Sequence, residues 1–356
     1  MIQRNGCEPS SSQRCPTIDR GWEAHVADWV AHSSYTGGVT ALADQAHARG
    51  MRLGLWVAAG NADPASSVAQ AHPDWLATWR GERLLLSFRT NVVCLGHAPA
   101  AAAVLGQLDA LVRAGMDWLL HDFETIARCD ATHHTHDAAM GKRAAAAGWF
   151  GILAELRQRH PALIIENCWN GGRPLDLAMI AHHDTTIGDD WCRSEFNRVA
   201  KLGLGRYLPS SWGSAYMGDE DLPVRSRLAP YLLAGPWILM GDIAGWDDDH
   251  RATVRTGLDI ARRWRTADRK ARIVHAETDE PIAGLATTAR EDGSRLAIFV
   301  VGADDVGRTV RWRCGPGELR DEWTGATRAI TPGEAQAGVV LDTSMPTGLA
   351  LSAHPG

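Results

Sequence analysis

Short β-prone runs and longer amphipathic runs alternate over about two-thirds of this chain, and that alternation is what most limits its fold. The candidate strands are Cys15–Asp19, Arg52–Ala58, Asp117–Asp122, Leu163–Cys168, Asp184–Asp190, Arg206–Trp212 and Pro236–Asp242. Helical runs lie between them. One follows Pro99 and stops at Gly115, a second runs from Gly141 to His160 before Pro161, and a third starts near Pro223 and ends at Gly235. Strands that alternate with helices pair in parallel under a helical layer.

No G-x-G-x-x-G follows the first strand and no G-x-x-x-x-G-K-[ST] occurs, so dinucleotide and nucleotide folds lose ground. A (β/α)8-type (TIM) barrel fits better, because nearly every strand ends in a polar or aromatic residue. Those ends are Asp19, Trp56, Asp122, Glu166-Asn167-Cys168, Asp189-Asp190, Ser210-Ser211-Trp212 and Asp242. In such barrels the C-terminal rim carries the chemistry. Seven strands can be counted rather than eight, and residues 1–14 are too polar and short to add one, so the barrel is expected to be incomplete at its N-terminus. From Ala271 to Pro355, alternating runs separated by Gly, Asp and Pro predict a small C-terminal antiparallel β-sandwich. The expected division is a catalytic barrel over 1–268 and the sandwich over 269–356.

Several function classes drop out. The longest uncharged apolar stretch, Leu228 to Gly241, is interrupted by Pro230 and Pro236 and is shorter than the about 20 residues of a membrane span. Residues 1–18 lack the apolar core of a secretory signal, which makes the cytoplasm the expected location. Seven scattered cysteines without a C-x-x-C support neither a disulfide framework nor a zinc ribbon. A net charge of −6 with no basic run argues against nucleic acid. Tryptophan is over-used: 13 of its 15 copies precede residue 265. Indole faces suit stacking on sugar C–H faces, and equally suit a large core.

A rim with several carboxylates and no evident metal cluster invites a two-carboxylate mechanism. Asp122 and Asp189 end strands two apart, where inward-leaning side chains could approach the about 5–5.5 Å separation of a retaining glycosidase.

The motifs then resemble those of the retaining α-galactosidases of glycoside hydrolase family 36, and more distantly family 27, in one collinear order from about Asp19 to the C-terminus. D-D-G-W is matched by Asp19-Arg20-Gly21-Trp22, and G-D-W by Ala27-Asp28-Trp29. G-M-K-F-G-L-W is similar to Gly50-Met51-Arg52-Leu53-Gly54-Leu55-Trp56, and H-P-D-W stands as His72-Pro73-Asp74-Trp75. R-x-x-x-V-L-D-L looks like Arg89 to Gly96, K-W-D-M-N falls on Leu120-His121-Asp122-Phe123-Glu124, and T-S-D on Ile187-Gly188-Asp189. E-N-C-x-x-G-G is present as Glu166-Asn167-Cys168-Trp169-Asn170-Gly171-Gly172, and D-x-W-T-G as Asp321-Glu322-Trp323-Thr324-Gly325.

The resemblance implies Asp122 as nucleophile and Asp189 as acid/base, with the neighbouring Asp190 an alternative donor. Asp122 would stay ionised while Asp189 holds its proton longer. It also implies that Asp19 and Arg89 hydrogen-bond sugar hydroxyls, that Trp56 packs on the ring, and that Cys168 and Gly171 crowd the sugar near its 2-hydroxyl. No cofactor and no metal are expected. The partner is a small-molecule or oligosaccharide substrate, with no nucleic acid and no membrane, and the oligomeric state is left open.

Three departures bear on substrate. The second Asp of D-D-G-W is Arg20, the lysine before the nucleophile is Leu120, and an E-P-E after the third strand is Ala58-Ala59-Gly60. Galactose recognition relies on such polar contacts. Leu120, Arg20 and the missing first barrel strand motivate an alternative, a degenerate member that binds sugar without turning it over; transglycosylation is a third reading. The large N-terminal β-domain of family members is not in this sequence. Asp28, Asp74 and Asp242 read as structural, and Asp247-Asp248-Asp249 as a helix N-terminal charge cluster. His133-His134-Thr135-His136-Asp137 reads as a solvated loop without a partner at metal-ligand spacing. His182-His183 reads as a helix end, and Trp169 and Trp191 are outside candidates for sugar stacking.

Overall fold

The computed structural model describes residues 26–29, 35–188, 190, 193–209, 212–219, 222–265, 272–287 and 290–355. The expected first strand, with Asp19, lies outside these residues, as do Asp189 and Trp191. The chain divides into two units, Met1–Thr185 and Thr186–Gly356.

In the first unit strands and helices alternate: α1 (Gly38–His47), β1 (Leu53–Val57), α2 (Ala98–Arg113), β2 (Met116–His121), α3 (Gly141–Arg159), β3 (Ile164–Asn167) and α4 (Leu177–His182). The strands pair in parallel in the order β1-β2-β3, with Trp56 opposite Leu120 and Leu120 opposite Glu166. Successive side chains point to opposite faces of a strand. Leu55, Val57, Leu119 and Ile165 accordingly pack against Val104 and Leu108 of α2 and Trp149 and Leu153 of α3. The alternate positions Trp56, Trp118, Leu120 and Glu166 belong to the other face, where Trp118 Nε1 donates to Glu166 Oε2 at 2.9 Å.

Helix boundaries follow the sequence signals. Pro99 sits in the first turn of α2, where its missing N–H costs nothing. Gly115 then takes φ +107°, and a Cβ there would lie 2.3 Å from Ala43 Cβ of α1, so glycine is needed for the turn into β2. Asp109 of α2 is buried and bonded to His160 at 2.7 Å, which ties α2 to the end of α3. Asp28 accepts from Ser67 N and Oγ. The His133–Asp137 loop departs from expectation: His134 is buried, with Nε2 2.7 Å from the Asp74 carbonyl.

β4 (Thr185–Ile187) spans the unit boundary, and the second unit holds a parallel pattern of its own with α5 (Ser194–Gly205), β5 (Gly213–Met217), α6 (Val224–Leu228), β6 (Trp237–Leu239) and α7 (Asp248–Arg265). Ile187 stands opposite Ser214, and Ala215 opposite Trp237. One expected strand is misplaced: none of the described residues of the 206–212 run is in a strand, and Gly213–Met217 is one. Pro209 removes a ladder donor from the expected run. The weakly β-prone Gly-Ser-Ala-Tyr-Met run is wholly buried instead. Lys201 of α5, also buried, donates to the carbonyls of Gly213 (2.7 Å) and Ser214, holding the helix to β5. Asp247 caps α7 by accepting from His250 N at 2.7 Å.

The rest of this unit is an antiparallel sheet of β7 (Ile273–His275), β8 (Ala283–Thr287), β9 (Arg295–Val301), β10 (Gly317–Asp321), β11 (Thr327–Ile330) and β12 (Thr347–His354), ordered β7-β8-β9-β12-β10-β11. A second, two-stranded sheet pairs Arg311–Trp312 with Val339–Val340. Leu285, Leu296 and Ile298 pack on Ile260 and Trp264 of α7, while Ala297 and Phe299 pack on Trp312 and Val339. At the Asp321–Gly325 turn, Asp321 Oδ1 accepts from Trp323 N at 2.8 Å, and buried Glu322 accepts from Arg263 and Ser352. Among the described residues no helix is long and apolar enough to cross a membrane.

Candidate active site

Asp122 follows β2 directly. Its N–H donates to the Val57 carbonyl at 3.0 Å, so the ladder to β1 runs one residue further and carries the side chain onto the face away from the helices. Asp122 is buried, at 7% residue exposure, and its carboxylate meets three N–H donors. Oδ1 accepts from Phe123 N and Asn170 N, both at 2.7 Å, and Oδ2 accepts from Trp56 Nε1 at 3.0 Å. Donors converging on two oxygens fix the plane of a carboxylate more tightly than one bond could.

The Asn170 donor exists because of an unusual turn after β3. Cys168 N–H still donates to the His121 carbonyl at 2.9 Å, and then Trp169, Asn170, Gly171 and Gly172 all take positive φ, of 36°, 54°, 80° and 78°. Left-handed backbone costs an L-residue roughly 1–2 kcal/mol, which glycine avoids and asparagine tolerates. Closed by Gly172 N–H donating to the Cys168 carbonyl, the turn aims the Asn170 amide at Asp122. The Asn170 side chain also donates to Glu124 Oε1 at 2.6 Å. Ser87 Oγ lies 3.1 Å from the same oxygen, joining the Ser87–Arg89 turn to the segment after Asp122. An aromatic wall completes the cluster: Phe88 stacks on Phe123, and Phe123 and Trp29 meet the Trp56 ring edge-on.

Behind Asp122, His121 points into the helical layer against Trp149. Its Nε2 is 2.6 Å from Nε2 of buried His183, whose Nδ1 is 2.6 Å from the Met179 carbonyl. A carbonyl only accepts, so His183 carries its proton on Nδ1 and receives one from His121 Nε2. Burial holds His183 down at about 4 and His121 well below the usual imidazole range, with each further lowered by a neighbouring histidine.

Of the expected site residues, Trp56, Asp122, Cys168 and Gly171 gather in the first unit through the bonds and turns just given. Cys168 is buried, and Arg89 is exposed with φ +59°. Asp19 and Asp189 lie outside the described residues, and the alternative donor Asp190 is exposed. Asn170, Glu124, Ser87 and Phe123 are further members that sequence reasoning did not single out. The Asn-Gly-Gly run was the available signal, since it favours positive φ. The His and Cys side chains with converging donor atoms, Cys94, Cys129, His134 and His136, form a separate cluster.

Residues 19–218 match the family model described as Melibiase. The chain is 28% identical over 225 residues to alpha-galactosidase 2 of Pediococcus pentosaceus, covering 60% of this chain and 31% of that protein. It superimposes on the galactosidase domain of the alpha-galactosidase-sucrose kinase AgaSK with a TM-score of 0.80 at 18% identity, covering 95% of this chain and 48% of that one. A variant of the GH36 alpha-galactosidase AgaA of Geobacillus stearothermophilus, solved with raffinose, matches with a TM-score of 0.78 at 15% identity over 92% of this chain and 48% of that one. The chain thus spans about a third of the length of the curated relative.

Proposed function

The chain belongs to the melibiase family, and from that premise we propose that it is a retaining α-glycoside hydrolase, α-galactosidase-like, that releases terminal α-linked galactose or a related sugar by double displacement. The observation that carries the reading is the Asp122 carboxylate, placed at a strand end and oriented by Trp56, Phe123 and Asn170. Oδ1 takes two of the three donors, which leaves Oδ2 the oxygen for attack on the anomeric carbon. As the C–O bond to the leaving group breaks, Asp189 (or Asp190) protonates the departing oxygen. The same group then deprotonates the water that hydrolyses the glycosyl-enzyme ester.

Trp56 serves twice in this reading: its N–H orients the nucleophile while its ring packs on the sugar. Asp19 and Arg89 bind hydroxyls, and Cys168 and Gly171 bring backbone and thiol close to the 2-hydroxyl. The strand–helix alternation is read as a (β/α)8-type barrel over 1–268, followed by a β-sandwich over 269–356. Raffinose, seen with the AgaA variant, is a natural first oligosaccharide to offer.

The test is a panel of aryl α-glycosides with wild type and Asp122→Ala. Turnover of an α-galactoside by wild type, its loss in the variant, and azide rescue to an inverted azide product support the reading. A second reading, sugar binding without turnover, draws on Leu120, which is buried where the family carries a lysine and offers no polar contact. It predicts equal, negligible rates for both proteins, with sugar still bound.

A further inference from the structure

Four side chains that the glycosidase chemistry does not use converge within the first unit. Cys94 lies just past the short strand Asn91–Val92, Cys129 lies on the segment leading away from Asp122, and His134 and His136 follow on the next loop. Cys94 Sγ is 3.2 Å from His136 Nε2, Cys129 Sγ is 3.3 Å from His134 Nδ1, and all four donor atoms lie within 4.8 Å of one another. We propose that these four side chains bind one zinc ion in a closed tetrahedral Cys2His2 site that ties the Cys94 segment to the loop running from Asp122 to α3.

Donor chemistry supports zinc. Two thiolates and two imidazoles are borderline-soft ligands that favour tetrahedral Zn²⁺, and hard cations would seek oxygen. With Zn–S about 2.3 Å and Zn–N about 2.0 Å, neighbouring ligand atoms in a tetrahedron stand about 3.3–3.8 Å apart. The two S···N separations, 3.2 and 3.3 Å, fall just below and at the lower edge of that range, and pairs as far apart as 4.8 Å would close by up to about 1 Å on loading.

Proton placement points the same way. His134 Nε2 is 2.7 Å from the Asp74 carbonyl, and His136 Nδ1 is 2.9 Å from the Asp137 carbonyl. Carbonyls only accept, so those nitrogens hold the protons. The lone pairs of His134 Nδ1 and His136 Nε2 therefore face the two sulfurs. An imidazole whose outer N–H is bonded to a backbone carbonyl is the usual outer-shell arrangement of a metal-bound histidine. Two thiols donating S–H to those nitrogens would use the same lone pairs, whereas a disulfide would leave them without a donor.

The surroundings are preformed. Cys94 N–H donates to the Trp75 carbonyl at 2.9 Å, and Ala77, Val92, Ala127 and Ala131 pack around the sulfurs. A Cβ on Gly141, at the start of α3, would meet the Cys129 carbonyl at 1.9 Å, so the helix seats directly on this loop. Four protein ligands leave no open position, which makes the site structural. Binding displaces the two thiol protons to solvent. The site is independent of whether the chain hydrolyses glycosides.

The test is the zinc content of the full chain, expressed with supplemented zinc and dialysed against metal-free buffer, together with cobalt(II) exchange. The expected result is about one zinc per chain in wild type and in Cys314→Ser, with loss in Cys129→Ser and His136→Ala. Cobalt should give thiolate charge-transfer and tetrahedral d–d absorption, and stripping by a chelator should lower Tm. If Cys129→Ser fails to fold, His136→Ala, at a half-buried position, decides. Substoichiometric zinc in wild type without a cobalt–thiolate band, zinc retained equally by the variants, or a Cys94–Cys129 disulfide in the protein as isolated would each overturn the site.

Discussion

Trp56 Nε1 donates to Asp122 Oδ2 at 3.0 Å, and it is the side-chain donor on a carboxylate whose other two are backbone amides. Substitution can remove it without redirecting the main chain. That separates the orientation of Asp122 from the shape of the turn beneath it.

Trp56→Phe keeps an aromatic ring against Phe123 and deletes the N–H. A hydrogen bond to a charged group contributes about 1.5–3 kcal/mol. The variant should therefore lose about 10- to 150-fold in kcat on an aryl α-galactoside while still folding, with Tm lowered by several degrees. Unaltered kcat with a raised KM would mean that the indole acts on the sugar alone.

The His121–His183 pair makes stability sensitive to acid. In the folded chain His183 titrates at about 4, against about 6.5 when unfolded, and burial lowers His121 as well. Both folded values are depressed, so the unfolded chain binds more protons as the pH falls. The pair's contribution is complete above about pH 6.5 and is lost progressively down to about pH 4, by roughly 3 kcal/mol for His183 alone. Differential scanning calorimetry should show Tm falling across that window, with a shallower fall in His183→Gln. Parallel slopes for the two proteins would contradict this.

Two glycines of α3 should respond to alanine in opposite ways. At Gly151 a Cβ meets nothing within 4 Å, so Gly151→Ala should stabilise by up to about 1 kcal/mol through helix propensity. At Gly148 it would lie 1.8 Å from the Leu95 carbonyl, so Gly148→Ala should destabilise by about 1–3 kcal/mol or more as the helix is pushed off that segment. Chemical denaturation of both reads the sign directly.

How much was legible in the sequence depended on whether the signal was local. Pro99 and Gly115 bracket α2 because proline and glycine act on their own backbone, and the alternation of Leu119 with Leu120 and Asp122 sets the two faces of β2 by period alone. β5 was missed because its Gly-Ser-Ala-Tyr-Met run owes its strand conformation to burial between neighbours, which no local propensity reports. The donors on Asp122 were missed for a related reason: the Asn170 amide reaches it only through a left-handed turn 48 residues further along the chain. The loop His133–Asp137 looked solvated because its cysteine neighbours, Cys94 and Cys129, lie at no recognisable spacing in sequence.

The central claim is that Asp122 forms a covalent bond to the sugar. The direct measurement is mass spectrometry of peptides from protein inactivated by a fluorinated α-galactosyl fluoride, which slows hydrolysis of the glycosyl-enzyme. One fluorosugar per chain should be found as an ester on Asp122, and none should be found on Asp122→Asn. A label on any other carboxylate, or turnover of the fluoride by Asp122→Asn at the wild-type rate, would contradict the account.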